Sequence, residues 1–158
     1  MTSKIKPITA TEVPERAQKS IYPAPFAEQV QGRVKRKLGD VFGLTNFGVN
    51  LTELAPGAVS ALLHHHSHQD EFIYVLSGTP TLVLDDEAFV LQPGQCYGFK
   101  AGNGVGHQLV NRSAAPVQYL EIGDRSAADY AVYPKDDLKF TEAPGGGWVL
   151  THKDGSAY

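Results

Sequence analysis

Residues 63–78 run Leu63-His64-His65-His66-Ser67-His68-Gln69-Asp70-Glu71-Phe72-Ile73-Tyr74-Val75-Leu76-Ser77-Gly78. The second half, Glu71 to Leu76, is rich in aromatic and β-branched residues and is followed by a glycine, the composition of a strand with a turn after it. The first half places four of the six histidines within five positions. They lie mid-chain between two extended runs, whereas an expression tag would sit at a terminus. Side chains alternate faces along a strand, so His64 and His66 share one face and His65 takes the other. Glu71 opens the next strand after a short turn, and antiparallel pairing returns it to the same mouth. Neutral imidazoles with a carboxylate suit one divalent transition metal: Zn, Fe, Mn, Ni or Cu. A further ligand has to come from elsewhere, and His107, which follows Gly104 and Gly106 and opens a strand, is the candidate.

Outward from this stretch the pattern is strand, turn, strand. Extended runs are expected at 33–38, 47–54, 58–66 and 71–76. A hairpin follows at 81–84 and 88–91 around Asp85-Asp86, then runs at 95–99, 106–111 and 117–122. With 16 Gly and 10 Pro as breakers, many short strands at near-regular spacing predict an all-β sandwich or barrel. Residues 1–32 are punctuated by Pro7, Pro14, Pro23 and Pro25 and are expected as an arm packed on the barrel, with one or two helical turns over 14–19. Residues 33–125 form the barrel. Residues 126–158 form a tail around a Gly145-Gly146-Gly147 hinge, packed on the barrel or on a partner subunit.

The chain has 158 residues, enough for one domain with a real core. A formal net charge of −3 argues against nucleic acid or an anionic membrane as partner. No run approaches the ~20 apolar residues of a membrane helix, and the first ten residues lack the apolar region of a secretory signal. A single cysteine, Cys96, excludes an internal disulfide framework and suits a reducing compartment, so a cytoplasmic location is expected. Cys96 itself is expected as a small buried residue, and Phe72, Tyr74, Tyr97 and Phe99 mostly as core. The basic run Arg33, Lys35, Arg36, Lys37 is expected as a solvated edge strand that resists edge-to-edge pairing.

Two spacings now resemble the cupin superfamily. Gly57, six residues, His64-x-His66, four residues, Glu71, six residues and Gly78 are similar to the first cupin motif. Gly94, five residues, Lys100-Ala101-Gly102, four residues, His107, three residues and Asn111 are similar to the second. Lys100 stands where the second motif usually has proline, and the loop from Gly102 to His107 is two residues longer than the common pattern. GLTNFGVN at 43–50, NRSAAP at 111–116 and the late HKDG sharpen the resemblance toward small bacterial cupins labelled as sugar-phosphate isomerases. The resemblance implies a double-stranded β-helix, a jelly-roll barrel, with His64, His66, Glu71 and His107 as metal ligands. It further implies a metal-dependent enzyme of small molecules, an isomerase or lyase acting on a sugar, sugar phosphate or hydroxy acid. The alternatives are a metal-assisted binding or sensing module without turnover, and a metal-dependent dioxygenase. No general base is assigned; His68 and Tyr97 are the candidates. The long arm and the aromatic tail lead to an expected homodimer.

Overall fold

The computed structural model describes residues 5–18, 20–24, 26–143 and 147–158. In chain order its strands are β1 (Arg33–Lys37), β2 (Phe47–Leu54), β3 (His65–His66), β4 (Glu71–Ser77), β5 (Thr81–Leu84) and β6 (Glu87–Val90). They continue with β7 (Cys96–Phe99), β8 (His107–Val110), β9 (Val117–Asp124), β10 (Tyr130–Val132), β11 (Lys139–Glu142) and β12 (Trp148–Thr151). One sheet has the order β1-β2-β9-β4-β7, a second β12-β11-β10-β3, and a third β6-β5-β8. Pairing is antiparallel throughout these ladders. The chain is an all-β cupin-type jelly roll, as its turn-separated strands predict.

Alternation explains which face is inside. Along β4, Ile73 and Val75 are buried while Phe72, Tyr74 and Leu76 are exposed. The buried set packs with Leu54, Leu82, Leu91, Leu109, Val117 and Tyr119 into the main core. The β5–β6 hairpin turns on Asp85-Asp86, with Leu84 opposite Glu87, and Asp85 takes a φ of +48°, which a short polar side chain tolerates. At Gly78 the φ is +74°, and a Cβ there would lie 2.6 Å from Val117 Cγ1, so both backbone and space demand glycine. Asn111 is fully buried and braces the following turn: its amide donates to the carbonyls of Leu54 and Ala115, and its Oδ1 accepts from Ser113.

Several expectations are corrected. The run at 58–66 is extended only at its end, with bends over 60–63 and bridges Val59–Val110 and His64–His107. The tail contributes β10, β11 and β12, and β10 pairs with β3, the histidine strand itself. Tyr133, Leu138 and Phe140 from the tail are buried with Leu62, against Ile21, Tyr22 and Phe26 of the N-terminal arm. Arm and tail thus meet in a second core on the same chain. In the arm the helical turns fall at Ala10–Glu12 and Phe26–Gln29, not over 14–18; Lys19, the end of the expected turn, and Gly145-Gly146 of the expected hinge lie outside the described residues. Cys96 is exposed, because it alternates with the inward residues of the edge strand β7. Phe72 and Tyr74 are likewise on the outer face, whereas Tyr97, opposite Ile73, shares the inner face with Phe99 but is 39% exposed at the sheet edge; of the four aromatics Phe99 lines the cavity of the site. No helix among the described residues is long and apolar enough to cross a membrane.

Candidate metal centre

The histidines are brought together by backbone pairing. His64 N–H donates to His107 O (3.2 Å) and His107 N–H to His64 O (2.8 Å), so the entry to β3 and the start of β8 lie side by side. Glu71 opens β4, where it pairs with Phe99 on one side and Gly123 on the other. The longer loop before His107 is pinned along its length. Gly102 N–H donates to His66 O, Ala101 N–H to Asp70 Oδ1, and Gly106 N–H to Asp85 Oδ1. Its extra residues therefore bulge outward and leave His107 beside Glu71.

One carboxylate oxygen is the focus of the cluster. Glu71 Oε2 lies 2.8 Å from His107 Nε2, 3.5 Å from His66 Nε2 and 3.9 Å from His64 Nε2. His64, His66 and Glu71 offer ligand atoms all within 4.8 Å of one another. The far side of two rings is already occupied. His64 Nδ1 is 2.8 Å from Leu62 O and His66 Nδ1 is 2.6 Å from Asp129 Oδ2, both acceptors. Each Nδ1 therefore carries the proton, and each Nε2 presents a lone pair to the centre, the tautomer a metal requires. Burial, and after it the nearby His107, lowers His64 to a pKa of about 3, so this ring is neutral at physiological pH. For Glu71 burial opposes ionisation, yet the hydrogen bond from His107 and the electrostatic influence of the His66, His64 and His107 rings outweigh it and hold the carboxyl well below its ordinary range. Imidazole nitrogens gathered around a carboxylate oxygen form a donor set that fits a borderline divalent cation. Ring packing limits their rotation: Phe99 stacks on His107 at 3.8 Å and Tyr133 on His64 at 5.7 Å between centroids.

Asp129 is the site residue that sequence spacing misses. It is buried, and besides His66 it accepts from Ser67 Oγ and from the backbone N–H groups of His68 and Gln69. It lies 63 positions from His66, and no local motif marks it. Of the two candidate general bases, His68 is exposed and bonded through Nδ1 to Ser67 Oγ, and Tyr97 is 39% exposed on β7 and borders a smaller pocket together with His66, Phe99 and His107; neither lines the main cavity that holds the cluster. His65 is also absent from that lining, as strand parity predicts.

The cavity has a volume of about 160 Å³. Besides the cluster it is lined by Tyr22, Tyr119 and Tyr133, by Glu121, and by Arg16, Arg33 and Lys35. The last two correct the solvated-strand expectation. β1 is indeed an edge, but the ladder places Lys35 opposite Thr52 and Thr52 opposite Tyr119, on the inner face. Lys35 Nζ lies 2.5 Å from Glu121 Oε1, and Arg33 donates through Nη1 to Ser60 O. Arg36, of opposite parity, points outward and donates to Val13 O.

Comparison with known proteins agrees with this architecture. Residues 50–123 match the cupin domain model. No curated protein matches the chain. Among solved structures, a sugar phosphate isomerase of the cupin superfamily from Silicibacter pomeroyi is 38% identical, with 97% of this chain and 96% of that one covered at a TM-score of 0.90. A provisionally assigned sugar phosphate isomerase from Acidithiobacillus ferrooxidans is 31% identical, with 77% of each chain covered and a TM-score of 0.70. The cupin domain of an XRE-family transcriptional regulator from Enterobacter cloacae is 29% identical, covering 61% of this chain and 99% of that one at a TM-score of 0.51. With the jelly roll, the two motifs and a full-length relative in agreement, this chain belongs to the cupin superfamily.

Proposed function

We propose that the protein is a metal-dependent enzyme of small molecules, an isomerase or lyase whose ion is held by His64, His66, Glu71 and His107. The observation that carries it is the convergence of three Nε2 atoms on Glu71 Oε2 while Leu62 O and Asp129 hold the opposite nitrogens of His64 and His66. A bound divalent ion would act as a Lewis acid on a substrate carbonyl or hydroxyl. The chain's own residues then divide the remaining tasks. Glu121 is the lining carboxylate outside the cluster, so it is the group placed to take or return a substrate proton, with Lys35 Nζ 2.5 Å from its Oε1. Burial raises the Tyr22 and Tyr133 hydroxyls, which keeps them protonated as hydrogen-bond donors; Tyr133 already donates to Tyr22 at 3.3 Å. Residues 33–125 supply the barrel, and the arm (1–32) and tail (126–158) close the cavity as parts of one unit. The names of the two isomerase relatives support sugar phosphates within the substrate range.

Elemental analysis of the protein as isolated, with alanine changes at His64, Glu71 and His107, tests the metal. Stoichiometric ion lost in each variant is the expected result, and wild type without ion overturns the proposal. Incubation with sugars, sugar phosphates and hydroxy acids, read by mass spectrometry, tests turnover. Tight binding of one metabolite without product would instead establish a sensing module, the role suggested by the regulator's cupin domain. Oxygen consumption would establish a dioxygenase. We also expect a cytoplasmic homodimer. The exposed apolar row Phe72, Tyr74 and Leu76 on β4 supports the dimer, and sedimentation as a monomer at micromolar concentration would refute it.

A further inference from the structure

We propose that the open groove beside the metal-site cavity is a second subsite that takes an uncharged aromatic ring, stacked on Trp148, and that the substrate joins this ring to the hydroxylated group that meets the cluster. The proposal deepens the functional reading above and rests on it only for what happens at the other end of the ligand.

The first support is space. The cavity around the cluster holds about 160 Å³ and the groove beside it about 460 Å³. Ligand sites occupy about 300–1,000 Å³, a range that the cavity alone does not reach and the two together do. Lys35, Glu71, Glu121 and Phe140 line both, so the two spaces adjoin. The Glu71 side chain keeps 22% exposure. A ligand lying in the groove is therefore beside the carboxylate at the centre of the cluster.

The second support is the floor. Gly48 on β2 pairs with Gly123 on β9, and Gly123 pairs in turn with Glu71 on β4, all on the inner face. Neither glycine has the left-handed φ that excludes other residues. A Cβ at Gly48 would come no closer than 3.7 Å to another group, Arg125 Nη2. One at Gly123 would lie 3.6 Å from Glu71 Cγ and 4.0 Å from Glu71 Oε1. These are ordinary contacts, so neither backbone geometry nor crowding requires glycine at either position. The missing side chains leave a strip of bare peptide that leads to the Glu71 carboxylate, a flat surface which a ring can approach closely.

The third support is the wall. Trp148 lines the groove and is 40% exposed. One face of its indole rests on Phe140, with ring centroids 4.3 Å apart and planes 14° from parallel, and Phe140 is itself buried in the second core. A ligand ring on the groove side would extend this stack. The polar groups of the groove already hold one another. Asp40 is paired with Arg125 at 2.9 Å and Lys37 at 3.3 Å, and Lys35 with Glu121. Gln69 donates to Ser126 O, and Asp124 accepts from the N–H groups of Asp70 and Ser126. The surface left for a ligand is thus the indole and the peptide strip, which suits an uncharged ring bound by stacking better than a free anion.

The test is titration of metal-loaded and chelator-stripped protein with phenyl glucoside against methyl glucoside, and with adenosine against ribose. The two pairs distinguish a carbocyclic from a heteroaromatic ring. Trp148 is the sole tryptophan of the chain, so its emission reports the subsite directly. At least one ring-bearing compound is expected to change that emission saturably and to bind about tenfold more tightly, by calorimetry, than its ring-free partner. Gly48→Val fills the floor with a residue suited to a strand, and Trp148→Ala removes the wall. Each should weaken the ring-bearing compound by about tenfold in calorimetry and leave metal stoichiometry unchanged. A thermal melt confirms folding of each variant, and Trp148→Ala carries the test if Gly48→Val does not fold. No saturable emission change with either ring at millimolar concentration, equal affinity within both pairs, or wild-type affinity in the folded variants overturns the subsite. Wild type that holds no metal yet takes a ring at Trp148 overturns the metal centre and leaves the subsite standing.

Discussion

The same strands build two unlike regions, and the change occurs along each strand rather than between strands. On the inner face β9 passes from Val117 through Tyr119 to Glu121, and β4 from Val75 through Ile73 to Glu71. β8 passes from Leu109 to His107, and β2 from Leu54 through Thr52 to Asn50. At one end the side chains are apolar and almost wholly buried; at the other Glu121, Glu71 and His107 are ionisable and line a cavity, with the Asn50 amide donating to Glu121. The apolar end holds the barrel together through area removed from water. The polar end adds little of that and gathers groups whose burial is unfavourable unless a ligand binds. Stability and function are thus separable in this molecule, and mutations should divide them.

The largest effect is expected at Glu71. Glu71→Gln should abolish stoichiometric metal in elemental analysis while the melting temperature of the metal-free protein moves by no more than about 4 °C, the equivalent of about 1 kcal/mol in a chain of this size. A collapse of the melt would show that the two regions are not separable. Leu82→Ala is the converse. Leu82 is 1% exposed in the main core, so the truncation should cost about 2–5 kcal/mol in denaturant unfolding and leave metal content unchanged.

Asp129→Asn comes next and sharpens the boundary between the regions. The new amide would face His66 Nδ1 with a donor, which forces the imidazole proton onto Nε2 and spoils the ligand. Metal affinity should fall by about 10–100-fold, read by competition with a chromogenic chelator. Unchanged affinity would remove Asp129 from the site.

The smallest effect is expected outside both regions. Arg125→Ala removes the 2.9 Å pair with Asp40, both residues being largely solvent-exposed, and should cost less than about 1 kcal/mol. Burial raises the Asp40 carboxyl, but hydrogen bonds from Arg125 and Lys37 and their charges together outweigh it and leave the pKa below its ordinary value. A depressed folded-state pKa contributes stability that is present above the ordinary carboxylate range and lost as pH falls through the folded value. The variant should therefore differ from wild type at neutral pH and converge with it in acid; a difference that grows on acidification would contradict the assignment.

Much of the fold is legible in the sequence because period-two patterning and turn residues act locally. The β2, β4 and β5–β6 boundaries lie within a residue or two of the expected runs, and parity alone separates His64 and His66 from His65. Patterning says which residues share a face, but not which face looks inward when no apolar residue marks it. Arg33 and Lys35 therefore read as solvated until the ladder with β2 and β9 turns them into the cavity. Phe72 and Tyr74 fail for the opposite reason: aromatic character suggests a core position, and parity with Ile73 and Val75 puts them outside.

What the sequence by itself determined is the set of local facts: the strands, the breakers, and a histidine pair with a carboxylate at spacings that neighbouring strands can bring together. Only the tertiary structure decided that the tail strand β10 pairs with the histidine strand, and that Asp129 from the segment before it fixes the His66 tautomer. It alone decided that two arginines from the arm and the first strand share the cavity with the cluster. These contacts join residues dozens of positions apart, and their geometry follows from how the sheets close on one another, which no short-range pattern encodes.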